Sequence, residues 1–209
     1  MAAVLIGVMT LPRDITSTKA AQRLAALAGA CGEELAQHPA ASAILDDLQD
    51  AAEEIVRLND TIREVERRLR ALLGDLTADL RLLHGVSTVV AAGLVGHAGA
   101  MANYRNAAAF AAKCGVAPVP CSSGRHVAVR LNTGGDRQLN RLLHVIAMTQ
   151  VRTASHPGRL YYERKRAEGK AHRPALRCLK RQLATVVYYR LLAAERRLDG
   201  RQEPVDSAA

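Results

Sequence analysis

The sequence predicts an all-α protein: a long coiled-coil-type helix followed by a compact helical domain with a helix-hairpin-helix-like turn. Three observations lead there. The 209 residues include no tryptophan and one phenylalanine, while alanine, leucine and arginine dominate, so strand-favouring residues are scarce and helix formers abundant. Between Leu48 and Leu76, apolar residues recur in alternating steps of three and four, the spacing of a heptad seam. The remainder is small-residue stretches at helical spacing, punctuated by glycine and proline.

Residues 1–44 read as a short helical leader or remnant. Met1 to Leu11 is apolar but has no basic leader, and Arg13 and Asp14 end it well short of a bilayer span, so no membrane partner is expected. Alanine and leucine at helical spacing from Thr16 to about Leu35 predict one packing helix, with Thr16 or Ser17 as its cap. His38-Pro39 breaks the chain.

Residues 45–82 follow as the coiled-coil helix, with Leu48, Ala51, Ile55, Leu58, Ile62, Val65, Leu69, Leu72 and Leu76 on its seam. Glu53, Glu54, Arg57, Arg63, Glu64, Glu66, Arg67 and Arg68 fill the flanks, as solvated outer positions should. The expected partner is a second copy, in a homodimer or higher oligomer. The competing reading is one amphipathic helix packed on its own domain.

Residues 83–197 form the compact helical domain. His84-Gly85-Val86-Ser87 is a glycine turn leading into the small-residue stretch Thr88 to Gly96. Such a turn can present backbone N–H groups to a phosphate, or simply pack two helices together. Asn103 to Lys113 carries Tyr104, Ala107, Phe110 and Ala111 at helical spacing, and Asp136 opens a helix with Leu139, Leu142, Leu143 and Ile146. His156-Pro157-Gly158 breaks the chain again. In the last helix, Pro174 to about Arg197, Leu176, Leu179, Leu183, Val186, Val187 and Leu191 form the core stripe while Arg177, Lys180 and Arg181 face elsewhere. Residues 198–209 read as a disordered tail.

The chemistry-bearing stretch is Cys121-Ser122-Ser123-Gly124-Arg125-His126, followed by Arg130 and Arg137. Pro118 and Pro120 exclude a helix just upstream, which predicts an ordered loop presenting both serines. A serine hydroxyl needs a base or positive charge to become a nucleophile. Arg125, His126, Arg130 and Arg137 supply charge suited to phosphate oxygens. Plain turn chemistry is the alternative reading of Ser-Ser-Gly. Asn140, Arg141, Arg164, Lys165 and Lys170 complete the candidate nucleic-acid-binding set.

Charge supports that partner. Residues 1–100 carry 9 basic and 13 acidic side chains, and residues 101–209 carry 20 and 7, so the halves stand near −4 and +13. A basic half of that size is the footprint of a polyanion, and the scarcity of aromatic residues favours nucleic acid over an anionic membrane. Cys31, Cys114, Cys121 and Cys178 form no Cys-x-x-Cys pair, which points to a reducing cytoplasm and assigns no metal site.

The order of short motifs carries a resemblance. Gly85-Val86-Ser87 with Ala91-Ala92, Gly115-Val116-Ala117-Pro118, Ser122-Ser123-Gly124, Gly134-Gly135-Asp136-Arg137-Gln138-Leu139-Asn140-Arg141-Leu142-Leu143, and Pro157 with Tyr161-Tyr162 and Gly169-Lys170 follow one another. Together they resemble the carboxy-terminal domain of the IS110 family of insertion-sequence transposases, which includes the pilin-gene-inverting recombinases. The likeness covers roughly residues 80–195, with the heptad helix as the family's coiled-coil region.

The resemblance implies DNA transposition by a recombinase whose serine works with an amino-terminal RuvC-like domain that binds magnesium. The serine directly before glycine is the family's nucleophile, which maps onto Ser123 with Ser122 as the fallback. It also implies a multimeric, RNA-guided complex, hence DNA and a guide RNA as partners. About 45 residues precede the coiled coil, with Asp14, Glu33 and Glu34 as the acids, too little for a RuvC-like domain. The expectation is therefore an amino-terminally truncated transposase, inactive alone, with no cofactor in this chain and magnesium only with a RuvC-like partner. The alternative is a non-catalytic helical DNA- or RNA-binding protein derived from a transposase.

Overall fold

The computed structural model describes residues 39–123, 126–130 and 132–202, with residues 18–19, 21–23, 25–26 and 29 before them. The fold is all-α as the composition predicts, with one inset, a two-stranded antiparallel hairpin. The chain divides into two compact units, Met1–Arg68 and Leu69–Ala209. Among the described residues, no helix is long and apolar enough to cross a membrane.

Helix α1 runs Pro39–Arg81. It begins earlier than the Leu45 boundary because proline suits a first turn, where its missing N–H has no helical partner to lose. In the first unit Ala52 is buried against Ala21, with Ala25, Ile55 and Val56 packed around them. Methyl side chains let two backbones approach closely there. Along the exposed flank, Arg57 pairs with Glu54 at 2.5 Å, Arg63 with Asp60 at 2.8 Å, and Arg67 and Arg68 both reach Glu64. Hydrogen bonds from those last two guanidiniums hold the Glu64 carboxyl down to about 2. Leu48, Leu58, Ile62, Val65 and Leu72 remain between 41% and 80% exposed along the same helix.

In the second unit, helix α2 (Thr88–Ala98) starts at Ser87, whose hydroxyl accepts from the N–H of Val90. Gly85, at φ +89°, makes the preceding turn; a Cβ there would meet the Thr149 side chain at 3.0 Å and the Ile146 carbonyl at 3.2 Å. The glycine turn is therefore packed on protein at its Cα. A short 3₁₀ turn, Met101–Asn103, leads to helix α3 (Ala107–Lys113), capped by Asn106.

Strands β1 (Val119–Ser123) and β2 (His126–Arg130) pair antiparallel, with Val119 opposite Arg130 and Ser123 opposite His126. The loop expected for the serines is thus a hairpin. Pro120 is tolerated because each strand of a two-stranded ladder is an edge, where the missing donor can face away from the partner.

Helix α4 (Arg137–Arg152), helix α5 (Pro157–Ala167) and helix α6 (His172–Gln202) complete the unit. Helix α6 packs against α3, α4, α5 and the 3₁₀ turn, so its apolar stripe closes the core. Phe110 is wholly buried, edge-on to Tyr104 at 5.2 Å and tilted against Tyr188 at 6.0 Å. Leu94, Leu139, Leu143, Ile146 and Val187 are wholly buried in the same core, whereas Val186, expected on the α6 stripe, is 39% exposed because it lies one residue off the buried face. Glu195 accepts from the N–H of Met101, and Arg197 pairs with Asp79 at 2.5 Å, tying α6 to the turn and to the end of α1. Helix α6 runs beyond Arg197 to Gln202, into the segment expected as tail; residues 203–209 lie outside the described part.

Candidate functional site

The hairpin that carries Ser122 and Ser123 is rooted in a cross-braced turn. Gly115, at φ +68°, and Gly135 meet backbone to backbone: a Cβ on Gly135 would lie 2.3 Å from both the Cα and the N of Gly115. Only glycine permits that approach. Around the contact, the Asp136 N–H donates to Lys113 O at 2.6 Å, and Asn132 Nδ2 donates to Ala112 O at 2.7 Å. Asn140 Nδ2 donates to Cys114 O at 2.9 Å. The Asn-Thr-Gly-Gly-Asp segment is therefore a scaffold clamping the end of α3 to the start of α4, with the hairpin emerging between them.

Asp136 caps α4 by accepting from the N–H groups of Gln138 and Leu139. The Leu139 bond leads the causes that hold its carboxyl below the usual range. Cys114 lies beneath the turn, and burial pushes its thiol up to about 12, which favours the neutral thiol over the nucleophilic thiolate. Among the described residues, no three His, Cys, Asp or Glu side chains gather as a metal site.

The structure places the sequence-predicted residues in three groups. Ser122, Ser123 and His126 sit at the turn end of the hairpin, while Gly124 and Arg125 lie outside the described residues. Arg130 is at the hairpin root, and Arg137 and Arg141 are on α4, all three exposed. The root and turn ends are four residues apart, about 13 Å at ~3.3 Å per residue. Asn140 is half-buried and anchored to Cys114 O and Gly115 O, and its own oxygen accepts from Lys180 Nζ at 2.6 Å.

Arg164, Lys165 and Lys170 form a third cluster at the end of α5. Arg164 Cζ lies 5.1 Å and Lys165 Nζ 5.5 Å from the centroid of the Tyr161 ring. Lys165 and Lys170 share Glu168, at 2.8 Å and 3.3 Å, which offsets part of their charge.

One expectation needs correction. Lys180 does not face away from the core stripe: it is 8% exposed and buried against α4. Its position directly after Leu179 is the available signal, because a stripe more than 100° wide takes in a neighbouring position. Arg177, three residues before it, and Arg181, the next residue, were also absent from the candidate set.

Residues 77–163 match the IS116/IS110/IS902 transposase family. The matched segment begins near the end of α1 and includes the whole clamp and hairpin. The uncharacterised 44.8 kDa protein of insertion element IS116 from Streptomyces clavuligerus is 30% identical over 167 residues, covering 77% of this chain and 40% of that protein. The uncharacterised 43.6 kDa protein of insertion element IS110 from Streptomyces coelicolor is 33% identical over 140 residues, 66% of this chain and 34% of that protein. The uncharacterised 42 kDa protein of insertion element IS900 from Mycobacterium paratuberculosis is 37% identical over 91 residues, 43% of this chain and 23% of that protein. The chain thus spans two fifths or less of the length of these insertion-element proteins.

Proposed function

We propose that this chain is a DNA transposition module in which Ser123, with Ser122 as the fallback, attacks a DNA phosphodiester. The serine oxygen forms a new bond to phosphorus as its proton leaves, the bond to one deoxyribose oxygen breaks, and that oxygen departs as a hydroxyl. The strand end is held as a phosphoserine ester until a second hydroxyl reverses the exchange, so bond energy is conserved. Arg125, two residues after Ser123 in sequence, stabilises the charge that develops on the phosphate oxygens, while Arg130 at the hairpin root and Arg137 on α4 hold neighbouring phosphates. The observation that carries the reading is the family match over residues 77–163, which spans the serine hairpin and these arginines.

The partner needed for catalysis is a RuvC-like domain, whose carboxylates would bind magnesium; a guide RNA would direct the complex to its site. Self-association through the exposed Leu48, Leu58, Ile62, Val65 and Leu72 would bring such parts from different copies to one strand. The second reading is a binding protein without chemistry, which needs the basic cluster of Arg164, Lys165 and Lys170 and no nucleophile.

Both readings require nucleic-acid contact by the basic half, which is directly testable. Changing Arg164, Lys165 and Lys170 together to alanine should weaken duplex binding on all sequences alike. The slope of log K against log salt should fall by about 2 to 3, at ~0.9 per phosphate contact. An unchanged slope would remove α5 from the interface.

A further inference from the structure

A cavity of ≈ 610 Å³ lies between the hairpin root, the clamp and helices α5 and α6. Its cationic side is formed by Arg130, Arg177, Lys180 and Arg181, and among the described residues no carboxylate lines it. Val116, Pro118 and Pro174 give it apolar walls, and Tyr161 adds an aromatic ring. That volume falls within the range of small-molecule sites, and an apolar chamber with a few convergent charges is the usual composition of such a site.

Lys180 is the informative residue. It is 92% buried, and among the described residues its ammonium has one hydrogen-bond partner, the neutral oxygen of Asn140 at 2.6 Å. An ammonium has three donors, so two remain for a ligand. Burying a cation without an opposite charge is costly, and an anion in the cavity would remove that cost. Burial, and after it the neighbouring Arg177 charge, lower the affinity of Lys180 for its proton. Arg181 uses one N–H on Thr185 and retains others, and exposed Arg177 has no ion pair among the described residues.

We propose that this cavity receives one unpaired nucleotide of the DNA strand the module handles, its phosphate held by Lys180 with Arg177, Arg181 and Arg130, and its base set against Tyr161 and the proline walls. The assignment rests on the DNA-handling reading for the identity of the strand, and on the cavity for the nucleotide. The Arg164 and Lys165 cations over the Tyr161 ring bring further positive charge to the rim, where the strand would leave. The cavity meets the hairpin at Arg130, about 13 Å from the Ser123 end at ~3.3 Å per residue. It is therefore a holding site that fixes strand register, distinct from the place of bond exchange.

The test uses the full chain, a fluorescein-labelled thymidine decamer read by anisotropy, and deoxyadenosine monophosphate read by saturation-transfer NMR. Arg177→Ala and Lys180→Gln should each weaken decamer binding about tenfold, the usual scale for a charge-assisted bond. Both should also abolish the mononucleotide signal. Tyr161→Leu should weaken the decamer and leave duplex binding unchanged. Arg177 is exposed, so its variant remains informative if Lys180→Gln fails to fold. Undiminished decamer and mononucleotide binding in Arg177→Ala and Lys180→Gln would overturn the cavity site while leaving nucleic-acid binding intact. A wild-type chain that takes the mononucleotide but no oligonucleotide would retain the nucleotide cavity and overturn the DNA-strand assignment. Tighter binding of a uridine decamer than of the thymidine decamer would overturn the assignment to DNA.

Discussion

Gly135→Ala isolates the clamp at the hairpin root. The added methyl would sit 2.3 Å from Gly115 Cα and N and 3.1 Å from Cys114 C, all backbone atoms that cannot rotate away. Relief requires the two backbone segments to separate by more than an ångström. That would break the bonds from the Asp136 N–H to Lys113 O, from Asn132 Nδ2 to Ala112 O and from Asn140 Nδ2 to Cys114 O. At about 1 kcal/mol each, the loss is about 3 kcal/mol. For a protein of this size, each 1 kcal/mol corresponds to about 2–4 °C, so the melting temperature should fall by about 6–12 °C. Gly134→Ala is the matched control, because its nearest contact is Asn132 Oδ1 at an ordinary 3.7 Å and its φ is not positive. Thermal unfolding followed by circular dichroism should separate the two variants clearly. Equal shifts for Gly134→Ala and Gly135→Ala would refute the backbone-contact argument.

Gly158→Ala places a methyl 2.3 Å from Gln150 Oε1, displacing a buried amide that donates to His84 O; thermal unfolding should show a loss of about 1–3 kcal/mol, and no loss would mean that Gln150 has another rotamer to adopt. Stability should also fall in acid in two stages. His156, whose affinity for protons is lowered by burial and then by nearby His84, binds fewer protons folded than unfolded, so its contribution is full above pH ~6.5 and is lost as pH falls through that region. Asp136, also depressed, contributes above pH ~3.9 and loses that contribution as pH falls through its folded value. Melts in His156→Gln should be flatter between pH 7 and 5 than wild type, and an identical pH profile would exclude the histidine. For self-association, Leu58→Asp with Ile62→Asp should convert a dimer to monomer in sedimentation at micromolar concentration; a monomeric wild type would dispose of the seam as an interface.

The helices and their breaks were legible because their signals are local. Periodicity marked α1, the Asp136 cap marked α4, and Pro157 and Gly158 marked the entry to α5. The hairpin was hidden because Val119 to Ser123 has little strand propensity, and its pairing depends on Val127 and Val129 across the turn. The motif order was legible as a family resemblance, but the local work of its residues was not. Gly135 and Asn140 hold backbone 20 or more residues away in sequence, and nothing in a single sequence marks that closeness. The same blindness concealed Lys180, whose burial depends on where Asn140 arrives from α4.

The most direct test of the central claim is the identity of the residue joined to DNA. In a reaction supplied with a RuvC-like acidic domain, magnesium and an insertion-element end, protein–DNA adducts would be trapped and mapped by mass spectrometry. The account predicts an adduct on Ser123 that is lost in Ser123→Ala, retained in Ser122→Ala, and lost without change in DNA affinity or melting temperature. An adduct that persists in the double variant Ser122→Ala with Ser123→Ala would contradict it.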